Sequence, residues 1–446
     1  MPTPRRSHAG LVGLAVAAII FSACSGSSTP APASAAAASA AGSAAALPPA
    51  SGATTLGSNE SDANPKAAVA ALADYCSKQS GITIKINTTD HNTFQNQISS
   101  YLQGKPDDVV KWFAGNRLRF FAAQNLLTPI DDVWAQIGSN YTDAFKTAAT
   151  GADGHQYLVP SINYPWVVMY RKSLFTAKGY TVPTTLDQFV TLAKKMQTDG
   201  LVPLAFGDKD GWPAMGTFDI LNMRMNGYQF HVDLMAGKAK WTDPKVTAVF
   251  QKWAELLPYF QQGAPGRTWQ DAATAALVPD ASGKYVAGMY FLGTFANAQV
   301  PAADQNDIGM FTFPTLGTAY DGENAMDAPI DGFMMSAHPG NEAAAKAFLA
   351  CIGTPPAQKA YTAVSGDIAA VKNADASGYT PFQVDEAKII AGAGKIAQFL
   401  DRDARADFAG PSGMQGFLLS FLNNPSQDLT KFLAGIQSYY DSLPPQ

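Results

Sequence analysis

Charged residues, cysteine and long apolar segments are all scarce in this sequence. Lysine, arginine, aspartate and glutamate make up 15% of the 446 residues, and the formal net charge is -5. An acidic chain lacks the clustered cations that neutralise nucleic-acid phosphates, which argues against general nucleic-acid binding. Beyond the N-terminal region, no apolar run is long enough to predict a transmembrane helix.

Signatures of cofactor and metal chemistry are also absent. None of the Gly-Lys pairs is followed by Ser or Thr, so there is no phosphate-binding loop, and no G-x-S-x-G nucleophile motif occurs. The five histidines are scattered, without H-x-x-H or paired-cysteine metal spacing. The sequence therefore predicts no cofactor and no metal.

Two pairs of adjacent carboxylates are the remaining catalytic candidates, Asp107 with Asp108 and Asp131 with Asp132. A carboxylate pair can hydrolyse a glycosidic bond. Adjacent residues on a strand, however, point to opposite faces, so capping and strand-edge roles fit these acids better. We predict that the chain is not an enzyme, with a secreted carbohydrate-active enzyme as the alternative.

The N-terminus has the pattern of an export signal. Arg5 and Arg6 precede the apolar run LVGLAVAAIIF and then small residues before Cys24. The tetrad FSAC resembles a lipobox, with Phe21 where leucine is usual, so residues 1–23 are predicted to be a lipoprotein signal peptide and Cys24 the lipidated residue. Residues 24–53, rich in Ala, Ser and Pro, are predicted to be a flexible linker. We expect an extracytoplasmic protein attached to the cell membrane by its lipid.

After the linker, helical and strand patterns alternate. SDANPKAAVAALADYCSKQSG predicts a helix, ITIKINT a strand, HNTFQNQISSYLQGKP a helix, DDVVKWF a strand and NRLRFFAAQNLL a helix. This βαβ order indicates an α/β lobe, in which ligands bind outside the carboxyl ends of strands. Further along, Val246, Val249, Phe250, Trp253 and Leu257 share one face of a predicted amphipathic helix.

The stretch PDDVVKWFAGNRLRFF, residues 106–121, interleaves basic and aromatic residues. Such a pattern can bind single-stranded nucleic acid. It can equally be a buried strand followed by a loop that places one ring and a few polar groups against a small ligand.

The order of several segments resembles the carbohydrate-binding extracellular solute-binding proteins of ABC importers, the family that includes maltose-binding protein. The segments are PDDVVKWFAGNRLRFFAAQNLLTPIDDVW, GHQYLVPSINYPWVVMYRKSLFTAKGYTVPTTLDQFVTLAKKM, YVAGMYFLGTFA, DIGMFTFPTL and APIDGFMMSAHPGNEAAAKAFLACI. The resemblance implies an α/β, periplasmic-binding-protein-like type II fold, with a hinge and a central ligand cleft. Lobe I would comprise residues 54–160 and 327–375, and lobe II residues 161–326 and 376–446.

The resemblance also implies a set of sugar-contacting residues. In lobe I, Asn116 and Arg117 match an Asp-Arg pair of the family, with Asn in place of Asp, and Trp112 or Phe113 matches a neighbouring Trp. Asp210 and Trp212 lie in GDKDGWP, and Phe295 ends GTF, where the family often has GPW or GSW. The remaining candidates follow presumed strands or flank the two crossovers: Glu60, Asp90, Trp166 and Asp331. Trp134, Trp241, Trp253 and Trp269 are expected to be structural.

Cys76 and Cys351 remain as an even pair if Cys24 carries lipid. In the family, the late helix that contains Cys351 returns to lobe I, so the resemblance implies a disulfide between them. The function implied is a monomeric, lipid-anchored receptor that captures a mono- or oligosaccharide and delivers it to ABC permease subunits in the membrane. The same fold with a non-sugar solute is the other alternative.

Overall fold

The computed structural model describes residue 47 and residues 49–444. The predicted signal peptide, Cys24 and most of the predicted linker lie outside the described residues. Within the described part, no helix combines the length and apolar character needed to cross a membrane.

The strands of the described residues fall into three sheets. In chain order they are β1 (Ala53–Ser58), β2 (Thr83–Thr88), β3 (Val109–Phe113), β4 (Leu158–Asn163), β5 (Trp166–Arg171), β6 (Val202–Ala205), β7 (Ala287–Gly293), β8 (Ile308–Phe311), β9 (Ala325–Asp327), β10 (Ile330–Met335), β11 (Ile368–Ala369) and β12 (Lys395–Ala397).

Helices cover the sheets and form the C-terminal region. They are α1 (Ala63–Ser80), α2 (His91–Gln103), α3 (Asn116–Ala123), α4 (Asp131–Ile137), α5 (Asp143–Ala148), α6 (Lys172–Lys178), α7 (Leu186–Thr198), α8 (Pro213–Asn226), α9 (Tyr228–Met235), α10 (Pro244–Leu256), α11 (Trp269–Leu277), α12 (Glu342–Ile352), α13 (Pro355–Ser365), α14 (Pro381–Ala391), α15 (Leu400–Asp403), α16 (Ala406–Ala409), α17 (Met414–Asn423) and α18 (Leu429–Ser442).

Local sequence signals account for many of these helices. Thr185 caps α7, because its side chain accepts a hydrogen bond from the backbone N–H of Gln188. The apolar face predicted for residues 244–257 is buried in α10, where Phe250 and Trp253 have no exposed surface. Leu257 follows the end of α10 and is partly buried. Amphipathic spacing thus selects the helix, and core burial stabilises it.

The first sheet has the strand order β11-β4-β10-β3-β1-β2. β1 pairs in parallel with both β2 and β3, as the predicted βαβ order requires. β10 runs antiparallel between β3 and β4, so Asp331 near its start lies opposite Phe113 at the end of β3. The ends of β1, β2 and β3 and the beginnings of β10 and β11 therefore meet at one edge. Side chains that follow these strands converge there.

The second sheet has the strand order β6-β7-β5-β8. β5 runs antiparallel to β7, which places Trp166 at the start of β5 opposite Gly293 at the end of β7. β6 is parallel to β7, so the loop that follows β6 leaves from this same edge. A third, two-stranded sheet joins β9 to β12.

The chain passes between the two larger sheets at short connections. The predicted lobe boundary after residue 160 falls inside β4, and the chain leaves the first sheet only after Asn163. The Asn163 side chain donates hydrogen bonds to the carbonyls of Ala328, at 2.6 Å, and Pro329, at 3.3 Å, on the returning connection. Two of the connections are therefore held together, while each sheet keeps its own hydrophobic core.

Cys76 on α1 and Cys351 on α12 form a disulfide in the structure, with Cα atoms 5.8 Å apart. Both helices pack on the first sheet, and the Cys76 side chain belongs to its core. The disulfide closes a loop with a sequence separation of 275 residues.

Candidate ligand-binding site

A cavity of about 140 Å³ lies between the converging edges of the two large sheets. One side of it carries ionisable groups, which we call the polar wall: Glu60, Asp331, Asp367, Asp401 and Arg402. The other carries rings, which we call the aromatic wall: Trp166, Trp212, Trp269, Phe295 and Phe399. A concave site with apolar surface and a few convergent polar groups is typical of small-molecule binding.

Lys111 holds two carboxylates of the polar wall from behind. Its Nζ lies 2.5 Å from Glu60 Oε1 and 3.7 Å from Asp331 Oδ2, and its side chain is only 1% exposed. Burial alone lowers the pKa of Lys111, but the Glu60 and Asp331 carboxylates outweigh burial and raise that pKa above its usual value. Burial raises the pKa of Glu60, whereas Lys111 lowers it, and the net effect is a lowered pKa. Both groups are therefore charged at neutral pH.

Arg402, in the short helix α15, completes the polar wall from the C-terminal region. Its Nη1 lies 2.8 Å from Asp331 Oδ1, and its Nη2 donates a 2.9 Å hydrogen bond to the Tyr164 hydroxyl. Its guanidinium carbon also stacks 4.3 Å from the centroid of the Phe113 ring. Although burial opposes the charge, Asp331 and Tyr164 raise the pKa of Arg402. Asp331 is thus fixed by two cations, one from each side.

Asp401 has its own cation, Arg117 of α3. The Arg117 Nη1 atom lies 2.8 Å from Asp401 Oδ2 and donates a 2.7 Å hydrogen bond to Gln95 Oε1. Gln95 lines the cavity and Arg117 supports it from behind. The ion pair also ties the first lobe to the C-terminal segment.

The aromatic wall is a set of mutually packed rings. Trp166 and Phe399 are stacked, with centroids 4.8 Å apart and an interplanar angle of 21°. Phe295 contacts Trp269 edge-to-face at 5.3 Å and Trp212 at 6.1 Å. Because these rings continue into the core of the second lobe, their orientation is set by packing.

Phe399 has a backbone conformation rarely used by residues other than glycine, with φ of 94°. Such a conformation costs roughly 1–3 kcal/mol and is retained where the surroundings enforce it, often at functional sites. Here the next residue, Leu400, donates its backbone N–H to the buried Asp219 carboxylate at 2.7 Å. This bond anchors the segment that carries both Phe399 and Arg402.

Six of the ten ligand-contacting residues predicted from the sequence line the cavity: Glu60, Asp90, Trp166, Trp212, Phe295 and Asp331. Asp90 also caps α2 by accepting the Thr93 N–H at 2.9 Å, which lowers the pKa of Asp90. The structure therefore brings together residues that are up to 271 positions apart in the sequence, as Glu60 and Asp331 are.

Trp112 is not on the cavity wall. Its side chain has no exposed surface and lies in the core of the first lobe, whereas Phe113 lines the cavity. Consecutive residues of a strand point to opposite faces, so only one of the two rings can reach the ligand side. We therefore correct the assignment of Trp112: the ring that lines the cavity is Phe113.

Asn116 and Arg117 also lie behind the cavity wall. Asn116 donates a 2.6 Å hydrogen bond to the backbone carbonyl of Asp403, and Arg117 forms the ion pair with Asp401. Neither lines the cavity, so we replace the predicted direct contact with a supporting role. Both positions open α3, and both fasten it to the C-terminal segment.

Asp210 lies in an adjoining cavity of about 240 Å³. Burial raises the pKa of Asp210, and a hydrogen bond with the Asn92 side chain lowers it in part. Asn92 and Trp212 line both cavities, so the two spaces share a boundary. Asp210 therefore borders the candidate site from outside the main cavity.

Sequence reasoning missed several residues of the cavity. Trp269, expected to be structural, lines it, as do Tyr164, Tyr361, Asp367, Phe399 and Arg402. A cluster of charges in the apolar C-terminal region, DRD at positions 401–403, was the available signal for Asp401 and Arg402. No local pattern indicates their partners, because Arg402 and Tyr164 are 238 residues apart.

The carboxylate pairs considered for catalysis make structural contacts. Asp108 accepts hydrogen bonds from the Thr54 hydroxyl at 2.9 Å and the Gly340 N–H at 2.6 Å. Asp132 forms an ion pair with Lys346 at 2.7 Å. Among residue 47 and residues 49–444, no group of three or more His, Cys, Asp or Glu is arranged to bind a metal ion.

Comparison with known proteins identifies relatives of most of the folded region. Residues 57–359 match the bacterial extracellular solute-binding protein family. An ABC transporter extracellular-binding protein of Pyrococcus horikoshii is 29% identical over 292 residues, which cover 64% of this chain and 63% of the relative. The chain thus spans less than two thirds of that curated relative.

Solved structures give closer coverage. The bacterial solute receptor AcbH, described as having an exclusive substrate preference for β-D-galactopyranose, is 47% identical, with a TM-score of 0.84 over 88% of this chain and 99% of that chain. A chitin oligosaccharide binding protein is 22% identical, with a TM-score of 0.75 over 87% of this chain and 98% of that chain. These matches confirm the predicted periplasmic-binding-protein-like type II fold.

The family consists of solute-binding proteins of ABC transporters, which agrees with the prediction that the chain binds a solute and is not an enzyme. The match of this chain to an extracellular family also places the protein outside the cytoplasm. The chain belongs to the bacterial extracellular solute-binding protein family.

Proposed function

We propose that this protein captures a monosaccharide in the cavity between the polar and aromatic walls and delivers it to an ABC permease. The facing walls are the observation that carries the proposal. A pyranose ring has apolar C–H faces, which pack on aromatic rings, and a rim of hydroxyls, which bond carboxylates and guanidinium groups. The cavity offers both kinds of surface at once.

The size of the cavity favours a single sugar unit. At about 140 Å³, it has room for on the order of ten water molecules. The 47% identity to AcbH, with its described preference for β-D-galactopyranose, supports galactose as the first sugar to test. A longer saccharide would have to extend past Trp212 and Asn92 into the adjoining cavity.

Three carboxylates of the cavity are already paired with a lysine or arginine side chain, which suits a neutral sugar because the sugar does not have to compensate their charges. Glu60 and Asp331 are held by Lys111 and Arg402, so their remaining lone pairs can accept sugar hydroxyls without reorganisation. Arg402 keeps its guanidinium plane against Phe113 and presents further N–H donors. Such preorganisation reduces the entropy cost of binding.

The proposal includes closure of two lobes and attachment to the membrane. The connections at Asn163 and Ala328 lie beside each other and would act as the hinge, which would let the two walls approach around a sugar. Cys24 would be the lipidated residue, and residues 24–53 the tether. The protein would act as a monomer and dock on the permease subunits in the membrane.

Isothermal titration calorimetry of the exported protein with galactose, glucose, maltose and a polyamine tests the proposal. We expect binding of a monosaccharide with 1:1 stoichiometry. Glu60→Gln removes the charge that Lys111 holds in the cavity, and we expect at least about tenfold weaker binding. Glu342→Gln removes an exposed carboxylate of α12 and serves as the matched control, with unchanged affinity.

Binding of the polyamine alone would contradict a sugar receptor. Release of monosaccharide from an oligosaccharide during the titration would instead favour a carbohydrate-active enzyme. A stabilised folded state in the presence of the bound sugar, detected by thermal unfolding, provides an independent readout through linkage.

A further inference from the structure

Four largely buried carboxyl groups line the cavity, and three of them form ion pairs with a lysine or arginine side chain. Glu60 pairs with Lys111, Asp331 with Arg402, and Asp401 with Arg117, at N–O distances of 2.5, 2.8 and 2.8 Å. The fourth of these carboxyl groups, that of Asp367, has no such ion-pair partner among the described residues, and the more exposed carboxylates of Asp62 and Asp90 also line the cavity.

Asp367 directly precedes β11, at the edge of the first sheet where the polar wall forms. It lines the cavity and is 8% exposed. Within the described part of the chain, no lysine, arginine or histidine nitrogen lies within 4.0 Å of its carboxylate oxygens. The backbone groups of Asp367 are engaged: its N–H donates to Ser365 Oγ, and its carbonyl accepts from Gln383 Nε2.

The groups that face Asp367 do not compensate its charge. Burial raises the pKa of Asp367 to about 7; the Ser365 hydroxyl and Lys111 lower it, and the Glu60 and Asp331 carboxylates raise it. From α14, the buried Glu386 lies near Asp367, which adds to the raised pKa of Glu386. The Tyr361 and Tyr379 phenols, whose pKa values are also raised, complete the surroundings. A buried carboxyl without a cation either takes up a proton or pairs with a cation from elsewhere.

We propose that the ligand supplies the missing cation, so that the preferred solute is an amine-bearing monosaccharide whose ammonium group pairs with Asp367. This inference rests on the proposed function, since it assigns the substrate class of the same cavity. A neutral sugar can donate a hydroxyl to Asp367 but leaves its charge uncompensated. An ammonium group both donates hydrogen bonds and balances the charge.

The aromatic wall favours the same ligand class. Trp166, Trp212 and Trp269 also line the cavity, and a cation that comes close to an indole face is stabilised by the ring quadrupole. Carboxylate on one side and aromatic surface on the other is a suitable environment for a primary ammonium.

Calorimetric titrations of the exported protein with four ligands near neutral pH test the inference. The ligands are galactose, galactosamine, a galactose derivative with the amine on its exocyclic carbon, and N-acetylgalactosamine. We expect at least one amine to bind about tenfold or more tightly than galactose, as an added charge-assisted hydrogen bond predicts. N-acetylation removes the charge and should abolish the gain.

Two variants identify the partner of the amine. Asp367→Asn keeps the size of the side chain but removes its charge, and we expect the ratio of amine affinity to galactose affinity to fall to about one. Asp385→Asn removes a carboxylate on the outer part of α14 that pairs with Lys388, and should leave that ratio unchanged.

The possible failures are distinct. If galactose binds and neither amine binds more tightly, the inference is overturned while the sugar receptor stands. If the amine preference persists in Asp367→Asn, the assigned partner is wrong and the inference is likewise overturned. If none of the four ligands binds, the inference fails, and the proposed function fails as well if glucose and maltose also do not bind.

Discussion

The polar wall and the aromatic wall of the cavity obtain their rigidity in different ways. The aromatic rings are part of the second lobe's core, so the same packing that stabilises the lobe also orients them. The polar side chains are held by ion pairs between distant segments: Arg402 reaches Asp331, and Arg117 reaches Asp401. Loss of one ion-pair partner leaves a buried charge, whereas loss of one ring leaves its neighbours in place. The two walls should therefore respond very differently to substitution.

Arg402→Met should have the largest effect. It leaves Asp331 with Lys111, at 3.7 Å, as its remaining cation and deprives Tyr164 of the hydrogen bond that Arg402 donates. We expect the free energy of unfolding to fall by about 3–5 kcal/mol and sugar affinity by about a hundredfold or more. Urea unfolding and calorimetry measure the two effects. The control is Lys388→Gln, at an exposed lysine of α14, and equal effects of the two substitutions would disprove the role of Arg402.

Removal of the disulfide should lower the stability of the fold and leave sugar affinity nearly unchanged. Cys76 and Cys351 join α1 to α12 and line neither cavity. The double variant Cys76→Ser, Cys351→Ser loses the constraint on a long loop, so we expect a loss of roughly 2–5 kcal/mol in unfolding free energy. Sugar affinity measured well below the melting temperature should change less than about twofold. A large loss of affinity would show that the walls depend on this distant link.

The pH dependence of stability should reveal the carboxyl group of Asp367, whose pKa is raised by burial. The pKa of Asp367 is about 7 in the folded protein and 3.8 for the ordinary side chain, so the unfolded state releases this proton first. The contribution of Asp367 to the free energy of unfolding is therefore fully present below about pH 4. It is lost as the pH rises toward about 7, by at most about 1.4 kcal/mol per pH unit.

Asp367→Asn removes this contribution. The difference in unfolding free energy between wild type and Asp367→Asn should thus shift in favour of the variant as pH rises from about 5 to about 7. Asp385→Asn should show no such trend. A constant difference between wild type and Asp367→Asn across this range would mean that Asp367 titrates normally.

Phe295→Leu should have the smallest effect of these changes. Trp269, Trp212 and Tyr164 still surround the position, so the fold is retained and only part of the stacking surface is lost. We expect sugar affinity to fall by about tenfold, as about 1.4 kcal/mol of lost ring contact implies. The matched control is Phe230→Leu: Phe230 lies on α9, is partly buried, and its ring contacts Lys245. If Phe295→Leu lowers affinity and stability as much as Arg402→Met, the two walls do not differ in their response to substitution.

The sequence was sufficient where local chemistry decides the structure. Alternation of apolar and polar residues located β2, and the resemblance to the family assigned Glu60, Asp90 and Asp331 to one ligand site, whose cavity all three line. The predicted boundary after residue 160 lies inside β4, whose end depends on pairing with β10 rather than on its own residues.

Other features of the site depend on contacts that no local pattern encodes. Trp112 and Phe113 are equally apolar, and only the pairing of β3 within the sheet decides which ring faces the cavity. Asp367 becomes special because every nearby cation already has a partner, which is a property of the assembled cavity. Arg402 was missed because its partners Tyr164 and Asp331 come from distant parts of the chain.

A crystal structure of the exported protein with bound galactose would test the central claim most directly. We predict a single pyranose between the walls, with a ring face against the aromatic wall and hydroxyls bonded to Glu60, Asp331 and Arg402. A sugar bound elsewhere, or a cavity that remains free of sugar at saturating galactose, would contradict this account.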